Sequence, residues 1–364
     1  MVTPLRFGII GLGWVARDYM LPAIAAAGER VKLTAVVDVR RDGSASLSPD
    51  VQWFTNIAGL LAADACDAVY IATPNHLHEE QTIACLEKGL HVLCEKPLAM
   101  TRDAVQRMVR AAKSNRRLLV TAYDQRHHPA HRKMRELIRA GQLGTITQAK
   151  IDYACWLPAE WSEDNWRIDQ AKAGGGAIID LAPHGLDLLE WLIESPIEHV
   201  HCYAQHRVQN YAVDDGGVLS ICFRNGVIAS QIVAYNRPET LPRRLLEIIG
   251  TSGQLRAENT MGQDAGGTLT FINAKDGNHE SVAFDTTTNP FANQLIDFLD
   301  RIKTAPADNS ELDATLRQVD LLQRALKRAG VGVEERKAGG IRRVPRKIDV
   351  PHVGDQGHYV ATDD

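Results

Sequence analysis

The chain is poor in the features that mark several common protein classes. Its six cysteines include no Cys-x-x-Cys pair, which argues against a disulfide framework and against a zinc site. No run approaches the roughly 20 apolar residues of a membrane span, and the N-terminus lacks the basic start and cleavage site of a signal peptide. No long basic run marks a surface for nucleic acid or acidic lipid, since 41 Lys and Arg stand against 45 Asp and Glu. We therefore expect a reduced, cytoplasmic protein with a small-molecule partner.

The composition is that of a globular protein, with 45% hydrophobic and 24% charged residues, and 364 residues fit two domains. In the first third, short apolar runs rich in β-branched residues alternate with helical stretches. Near-continuous apolar strands are typical of a parallel sheet that helices cover on both faces. The pattern predicts a doubly wound α/β domain over residues 1–123, with strands at 5–10, 31–38, 67–73, 91–96 and 117–123.

Beyond Tyr123 the pattern predicts an α+β domain over 124–338, then a C-terminal tail over 339–364 with no usable period. Asn225-Gly226 between two apolar runs indicates a tight hairpin. Helices are predicted at 129–140, 177–193, 291–303 and 309–329. Strands are predicted at 145–155, 199–208, 216–224, 227–235, 243–250 and 268–273. The first four, between residues 145 and 235, are expected to be antiparallel.

A glycine motif follows the first predicted strand and opens the first helix. Gly11 permits a tight turn, and Gly13 lets a pyrophosphate approach the backbone. Asp38, at the end of the second strand, can accept both ribose hydroxyls of adenosine, which favours NAD. Arg40 and Arg41 follow directly and would suit the 2′-phosphate of NADP, so NADP stays an alternative cofactor. The plainer interpretation of these residues is a generic glycine turn next to a charged, solvated loop. The predicted cofactor contacts here are Gly11, Leu12, Gly13, Trp14, Val15, Asp38, Val39 and Arg40, with the small Ala16 against the strand.

Two further segments stand at the carboxyl ends of predicted strands, the edge at which ligands bind in open α/β sheets. Taken alone, Asn75 is a helix N-cap and His78 an ordinary first-turn residue. Lys96 is a solvated surface charge in the plainer interpretation, but beside a nicotinamide its ammonium would stabilise a developing alkoxide. The residues predicted to contact the cofactor at this edge are Thr73, Pro74, Asn75, His78, Glu95 and Lys96.

A glycine triplet, Gly174–Gly176, precedes a helix that carries Asp180 and His184. The four-residue step places both side chains on one helical face, where Asp180 can orient one imidazole tautomer. With an ordinary pKa of about 6.5, histidine suits removal of a hydroxyl proton as hydride leaves the same carbon. The alternative is a capped helix with a buried histidine satisfied by its neighbour.

From about residue 5 to about residue 330, these motifs resemble the glucose–fructose oxidoreductase / inositol dehydrogenase / rhizopine catabolism (Gfo/Idh/MocA) superfamily. The resemblance rests on the glycine fingerprint, Thr73-Pro74-Asn75 with His78, Glu95-Lys96-Pro97, and Gly175-Gly176 followed by Asp180 and His184. It implies a Rossmann domain, then an α+β domain whose large open, mostly antiparallel sheet forms a homodimer or homotetramer interface.

The resemblance also implies the roles of individual residues in a nicotinamide-dependent oxidoreductase of sugars, cyclitols or related polyols. Lys96, Asp180 and His184 would surround the reacting carbon as catalytic residues. His184 would be the acid/base and Lys96 would polarise the oxygen. The predicted substrate contacts are Lys96, Tyr123, Arg126, Trp156, Trp166, Arg167, Asp180 and His184.

Two departures from the family's pattern limit this transfer. The frequent Tyr-Asn-Arg-Arg-Phe at the domain junction is here Tyr123-Asp124-Gln125-Arg126-His127. The frequent glycine of Asp-x-Gly-x-His is Ala182, followed by Pro183.

A group of aromatic residues and one arginine precede the glycine triplet on a predicted loop: Trp156, Trp161, Trp166 and Arg167. They either stack on a sugar ring or only cover the contact between the two domains.

A metal site is not expected, although His127 and His131 are four residues apart, because no carboxylate or cysteine completes a recognisable ligand set. Two other functions remain open. One is an NAD-dependent glycoside hydrolase that oxidises its sugar transiently, with Tyr123, Asp124 or a histidine as a base. The other is an NAD-sensing regulator, against which Lys96, Asp180 and His184 argue, since a sensor needs no acid/base over the nicotinamide.

Overall fold

The computed structural model describes residues 3–41, 47–162 and 165–331 of the chain. They contain a six-stranded and an eight-stranded β-sheet. The predicted C-terminal tail over 339–364 lies outside the described residues. In the described part, no helix is long and apolar enough to cross a membrane.

The first sheet is parallel throughout, which confirms the predicted doubly wound α/β fold. Its strands are β1 (Leu5–Ile10), β2 (Val31–Val37), β3 (Gln52–Phe54), β4 (Ala68–Ile71), β5 (His91–Glu95) and β6 (Leu119–Ala122). The order β3-β2-β1-β4-β5-β6 reverses between β1 and β4, and such a switch point creates a ligand crevice at the carboxyl ends of the strands. The sequence did not predict β3, because three residues are too short to show a period.

Helices pack on both faces of this sheet, which is why its central strands are apolar throughout. Side chains of α2, α3 and α4 form one buried cluster with the strands, and side chains of α1 and α8 form another on the opposite face. The helices are α1 (Leu21–Ala26), α2 (Ile57–Ala63), α3 (His78–Glu87), α4 (Arg102–Asn115), α5 (Pro129–Arg139), α6 (Gln170–Ala173), α7 (Ala177–Ile193), α8 (Pro290–Thr304) and α9 (Leu312–Arg328).

The second sheet has the strand order β14-β13-β12-β11-β7-β10-β9-β8. The sequence did not predict two of its strands, β12 and β14. Its strands are β7 (Ile146–Ala154), β8 (Ile197–Gln205), β9 (Gly216–Phe223), β10 (Ile228–Ala234), β11 (Arg244–Gly250), β12 (Gly253–Glu258), β13 (Thr268–Asn273) and β14 (His279–Ser281).

One pair in this sheet corrects the sequence expectation that the strands between 145 and 235 are antiparallel. Strands β9 and β10 form the predicted hairpin around Asn225-Gly226, but β10 pairs with β7 in parallel. A parallel pair needs a crossover connection, and α7 lies between β7 and β10 in the chain and packs on β10. The crossover leaves α7 lying on one face of the sheet.

The helix α8 returns from the second sheet to the first. Phe291, Leu295 and Phe298 of α8 lie in the cluster on the first sheet, where the Phe7 and Phe298 rings meet edge to face with centroids 6.4 Å apart. Residues far beyond position 123 therefore contribute to the core of the first sheet. The predicted domain boundary after residue 123 stays a prediction.

Candidate active site

The turn after β1 leaves an open space at one glycine and none at the other. Gly11 has φ +90°, and a Cβ there would lie 2.8 Å from the carbonyl oxygen of Ala72, so only glycine fits. A Cβ on Gly13 would meet no atom within 4 Å. The backbone at Gly13 is therefore open to a group from outside the chain, as a pyrophosphate requires.

The carboxylate of Asp38 lies across the same turn. Its Oδ2 accepts from the backbone N–H of Leu12 at 2.7 Å, and its Oδ1 accepts from that of Arg40 at 2.9 Å. Each oxygen keeps lone pairs for a further donor, such as a ribose hydroxyl. Val39 is exposed, and the guanidinium of Arg41 lies over the ring of Trp53, 5.8 Å from its centroid.

His78 links the two loops that carry the strand-end motifs. Its ring is buried, with Nδ1 2.9 Å from the carbonyl oxygen of Pro97 and Nε2 2.9 Å from that of Thr73. Burial lowers the pKa of His78 below its ordinary value. Both ring nitrogens are occupied by backbone, so the structure places His78 between the loops rather than at the surface of the crevice.

Asn75 and Glu95 likewise make contacts within the protein. Asn75 does not cap a helix; its amide donates to the carbonyl oxygen of Ala173, at the end of α6, at 2.9 Å. The hydroxyl of Tyr70 donates to Glu95 at 2.5 Å, and burial together with the nearby Asp124 raises the pKa of Glu95. Asn75 thus connects the edge of the first sheet to the chain leading into α7.

Lys96 and Asp180 form the centre of the site. The Lys96 ammonium donates to Asp180 twice, to Oδ1 at 2.5 Å and to the backbone carbonyl oxygen at 2.9 Å. Tyr235, at the end of β10, donates its hydroxyl to Asp180 Oδ2 at 2.7 Å. An ammonium has three N–H groups, so one remains free of any partner among the described residues.

Electrostatics keeps Asp180 ionised in this buried position. Burial alone would raise its pKa, but the charges of Lys96 and Arg167 and the hydrogen bonds from Lys96 and Tyr235 hold it well below the usual range. The pKa of Tyr235 is well above its ordinary value because of burial and the Asp180 charge. Tyr235 therefore stays protonated, as a donor to Asp180.

The partner of His184 corrects the expectation that Asp180 orients its imidazole. Asp180 is engaged by Lys96 and Tyr235, whereas Nδ1 of His184 lies 3.1 Å from Oδ1 of Asp124. The His184 side chain is only 2% exposed, and neither ring nitrogen makes a hydrogen bond in the described part of the chain, although Nδ1 is within contact distance of Asp124 and no contact is found for Nε2 there. A buried, unpartnered ring nitrogen is open to a group from outside the chain.

Asp214 holds the start of the helix that carries Asp180 and His184. Its carboxylate accepts from the backbone N–H groups of Gly176 and Ile178, each at 2.9 Å, and its carbonyl oxygen accepts from that of Ala177 at 3.1 Å. A Cβ on Gly176 would lie 1.9 Å from the Asp214 carbonyl oxygen. The glycine is thus required by the approach of Asp214, and no local sequence signal links these two segments.

Two comparisons of sequence place the chain in a family. Residues 5–123 match the NAD-binding Rossmann fold of an oxidoreductase family, and residues 131–256 match the Gfo/Idh/MocA C-terminal domain. The 1,5-anhydro-D-fructose reductase of Ensifer adhaerens is 34% identical over 272 residues, 74% of this chain and 80% of that protein. The chain belongs to the Gfo/Idh/MocA family. The predicted resemblance is confirmed: the protein is an NAD(P)-dependent oxidoreductase with a parallel, Rossmann-like first sheet and a mostly antiparallel second sheet.

Solved structures show the same fold. An aldose-aldose oxidoreductase from Caulobacter crescentus superposes with a TM-score of 0.78 at 22% identity, covering 89% of this chain and 98% of that one. A 3-ketoreductase from Actinomadura kijaniata, in complex with NADP and TDP-benzene, superposes with a TM-score of 0.78 at 23% identity over 89% and 97% of the two chains.

Two residues at the departure from the family's junction motif, Arg126 and Tyr123, border a second cavity. Arg126 donates to both carboxylate oxygens of Asp187 at 2.6 Å and to Glu311 at 3.1 Å. Tyr123 is buried, and burial raises its pKa. Both line a cavity of about 400 Å³ between α5, α8 and α9. Tyr123 also lines a smaller pocket with Pro97, Ile179 and Pro183, the sequence neighbours of Lys96, Asp180 and His184, so its role as a substrate contact stays a prediction, as does that of Arg126.

The second departure from the family motif leaves the catalytic helix intact. Helix α7 continues through Ala182 and Pro183 to Ile193, and His184 follows the proline in helical geometry. Behind it, a Cβ on Gly185 would lie 2.2 Å from the amide nitrogen of Gln231, so α7 packs closely on β10. Pro183 therefore does not displace the imidazole from the site.

Three of the residues predicted on the loop after β7, Trp161, Trp166 and Arg167, contact one another. The guanidinium of Arg167 lies 4.6 Å from the ring centroid of Trp166 and 5.3 Å from that of Trp161. Trp161 also meets Trp14 of the glycine fingerprint edge to face, with centroids 6.0 Å apart. Trp156 is partly exposed beside this loop. The Trp14–Trp161 contact joins the first sheet's crevice to the loop after β7.

The histidines near the junction are engaged in packing. His131 contacts the carbonyl oxygen of Gln125 at 2.8 Å and the hydroxyl of Thr260 at 2.9 Å, and His127 accepts from Arg132 at 3.0 Å. Among the described residues, no three His, Cys, Asp or Glu side chains are grouped to hold a metal ion. All six cysteines are free thiols.

Sequence reasoning missed two contributors to the site, Tyr235 and Asp214. Each acts on α7 from more than 30 residues away in the chain, so no periodicity or motif around Asp180 indicates it. The sequence suggests Asp124 only as a base for the hydrolase alternative. Its contact with His184 is visible only in the tertiary structure.

Proposed function

We propose that this protein transfers hydride between a nicotinamide and a secondary alcohol or ketone of a sugar, cyclitol or related polyol. The observation that carries the proposal is the Lys96–Asp180 pair beside an unpartnered His184 Nε2, at the carboxyl ends of the first sheet's strands. The name of the Ensifer adhaerens relative, a reductase of a keto sugar, supports the substrate class.

The cofactor binds along the crevice edge, and NAD is preferred over NADP. The Asp38 carboxylate would accept ribose hydroxyls and would repel a 2′-phosphate. When bound, the nicotinamide supplies the hydride acceptor or donor. The residues that would hold the dinucleotide are Gly11, Leu12, Gly13, Trp14, Val15, Asp38, Val39, Arg40, Thr73, Pro74, Asn75 and Glu95. Lys96 would lie next to the nicotinamide without contributing much to its affinity, and His78 holds the two loops together.

The chain's own residues supply proton transfer and charge stabilisation. In the oxidation direction, His184 Nε2 accepts the proton of the substrate hydroxyl. The free N–H of Lys96 donates to the same oxygen and stabilises its developing negative charge. Asp180 holds the Lys96 ammonium in place and is itself held by Tyr235. In the reduction direction the proton returns from His184 to the alkoxide oxygen.

The sugar ring would contact the loop after β7. Arg167 is close enough to Asp180 to lower the pKa of that carboxyl, so it borders the reacting centre. Trp156 and Trp166 present aromatic faces that suit the C–H face of a sugar. Tyr123 and Arg126 line a second cavity, and Tyr123 also borders Pro97 and Pro183, so we keep both, with these three residues, as predicted substrate contacts.

The test is turnover with a panel of sugars, cyclitols, keto sugars and glycosides. Purified protein is mixed with NAD or NADP and a polyol, or with NADH or NADPH and a keto sugar, while reduced nicotinamide absorbance is followed. We expect turnover with a sugar or cyclitol and a preference for NAD. Aglycone released from a glycoside without net cofactor reduction would instead identify a hydrolase, and cofactor binding without any turnover would identify a sensor.

Replacing Gly13 with alanine should weaken cofactor binding while sparing the fold. The added methyl meets no protein atom within 4 Å, but it occupies the space through which the pyrophosphate approaches the backbone. We expect the NAD dissociation constant, measured by calorimetry, to rise about 10- to 100-fold. The thermal unfolding temperature of the cofactor-free protein should be unchanged, and an unaltered dissociation constant would contradict this position for the pyrophosphate.

The open face of the second sheet would pair with a second copy of the chain. Tyr203 and Val218 are register partners on β8 and β9 and are 79% and 43% exposed. Tyr203→Glu should lower the molar mass measured by light scattering to that of a single chain, since it would bury a charge in the interface. Leu241→Glu, an exposed apolar residue in a turn outside the strands, is the control and should leave the mass unchanged. A wild-type protein that is already monomeric would contradict the proposal.

A further inference from the structure

A second carboxylate, Asp124, lies against the imidazole of His184. Asp124 Oδ1 is 3.1 Å from His184 Nδ1, and the two side chains are 3% and 2% exposed. Asp124 stands in the short turn after β6, and His184 is in the middle of α7. The contact therefore joins the edge of the first sheet to the helix on the second.

Other residues hold the Asp124 carboxylate in this position. Its Oδ2 accepts from the side-chain amide of Gln125 at 2.8 Å. The same amide donates to the carbonyl oxygen of Gly262 at 2.7 Å, and Gln125 accepts from the Gly262 backbone N–H at 3.3 Å. Gln125 thus fixes the orientation of the carboxylate through Oδ2, with Oδ1 facing the imidazole.

The groups around His184 leave Asp124 as the contact on its Nδ1 side. The ring of Tyr153, from β7, meets the imidazole edge to face with centroids 5.5 Å apart. Glu95 and Lys96, at the end of β5, act on the same region through their charges, and His128 lies near Asp124. Asp180, on the same helix as His184, is held by Lys96 and Tyr235.

We propose that Asp124 is a positioning residue that accepts the Nδ1–H of His184 and thereby leaves the lone pair on Nε2. This inference rests on the proposed function, in which Nε2 takes the substrate's hydroxyl proton. The two atoms are at contact distance, although the N–H does not yet point along the line to Oδ1. Such hydrogen bonds are often poorly aligned in the free enzyme and tighten when substrate is bound.

The proton balance of the step is simple. During oxidation the substrate O–H bond breaks, its proton binds Nε2, and the imidazole becomes an imidazolium with both nitrogens protonated. The new positive charge then lies beside the Asp124 carboxylate, which stabilises it because both side chains are almost fully buried. During reduction the proton leaves Nε2 for the alkoxide, and the neutral Nδ1–H tautomer is restored.

The first test compares Asp124→Asn with the wild type across pH. Asparagine keeps the shape and an acceptor oxygen but removes the charge, so kcat/KM should fall about 10- to 100-fold, part of what general acid–base catalysis provides. The acidic limb of the profile should move to lower pH, because the protonated imidazole loses its neighbouring carboxylate. A purely structural role would reduce activity without moving that limb, and an unmoved limb overturns the proposal.

The second test does not use activity. Histidine labelled with 15N is incorporated, and the His184 signal is identified by its loss in His184→Gln. Solid-state NMR of the cofactor-free protein should show His184 protonated at Nδ1, with this preference lost in Asp124→Ala. A His184 protonated at Nε2 in the wild type overturns the proposal.

A carboxyl elsewhere in the protein provides a matched control for Asp124. Asp297→Asn removes a different carboxyl, on α8, whose pKa is raised by burial. It should change neither the pH profile nor the His184 signal. If no polyol is turned over but His184 carries its proton on Nδ1 in an Asp124-dependent way, the proposed function fails while the tautomer assignment stands.

Discussion

Lys96→Met should lower kcat about 10²- to 10³-fold with little change in NAD affinity, the loss typical when one stabilising donor is removed from a developing oxyanion. Lys96 donates two of its three N–H groups to Asp180, so the third is held in a fixed direction toward the substrate oxygen. Methionine is a similar size but offers neither a donor nor a charge. Steady-state kinetics and NAD titration by fluorescence measure the two quantities separately.

The same substitution leaves Asp180 without its principal counter-charge, which affects folding. Removing one partner of a fully buried ion pair costs about 3–5 kcal/mol. The cost should be lower here, because the side chains of Lys96 and Asp180 are 12% and 20% exposed and Tyr235 and Arg167 still stabilise the carboxylate. Asp180→Asn added to Lys96→Met should therefore restore much of the lost stability without restoring turnover. That double variant separates loss of chemistry from loss of folded protein.

The matched control for Lys96 is an exposed lysine with an equally short contact. Lys32 lies 2.5 Å from Asp50, with both side chains at least half exposed. Surface pairs of this kind contribute about 0–1 kcal/mol, so Lys32→Met should alter neither turnover nor stability appreciably. Full activity in Lys96→Met would remove the lysine from the mechanism.

Gly176→Ala should destabilise the protein by about 3 kcal/mol, the upper end for overpacked sites. The new Cβ would lie 1.9 Å from the carbonyl oxygen of Asp214, and its carbonyl carbon and backbone nitrogen are each 2.9 Å away. Backbone atoms cannot turn aside as a side chain does, so α7 and the Asp214 loop must separate. Urea unfolding monitored by circular dichroism measures the change in free energy.

Gly176→Ala should also affect the candidate active site, because separating α7 from the Asp214 loop moves Asp180 and His184. The hydrogen bonds from the Gly176 and Ile178 N–H groups to Asp214 would lengthen together, and turnover should fall along with stability. Gly13→Ala is the matched control, since its methyl meets no protein atom within 4 Å and should leave the free energy of unfolding unchanged. Equal stability of Gly176→Ala and wild type would mean that Asp214 does not pack against α7 as described.

Local sequence was sufficient for the parts of the fold that repeat along the chain. The apolar runs predicted the parallel sheet because its strands are buried on both faces. The short strands β3 and β14 were not predicted, because three residues show no period. The parallel pairing of β7 with β10 was not predicted, because the crossover through α7 is a long-range connection.

For the candidate site, the sequence alone determined the residue types and the edge of the sheet at which Lys96 stands, since the carboxyl ends of parallel strands share one edge. It also placed Asp180 and His184 one helical turn apart. Only the tertiary structure decided their partners: Asp180 is held by Lys96 and Tyr235, and His184 lies against Asp124. The physical reason is that helical spacing limits which side chains share a face, whereas the partner of a buried polar group is decided by what the rest of the chain brings within hydrogen-bond distance.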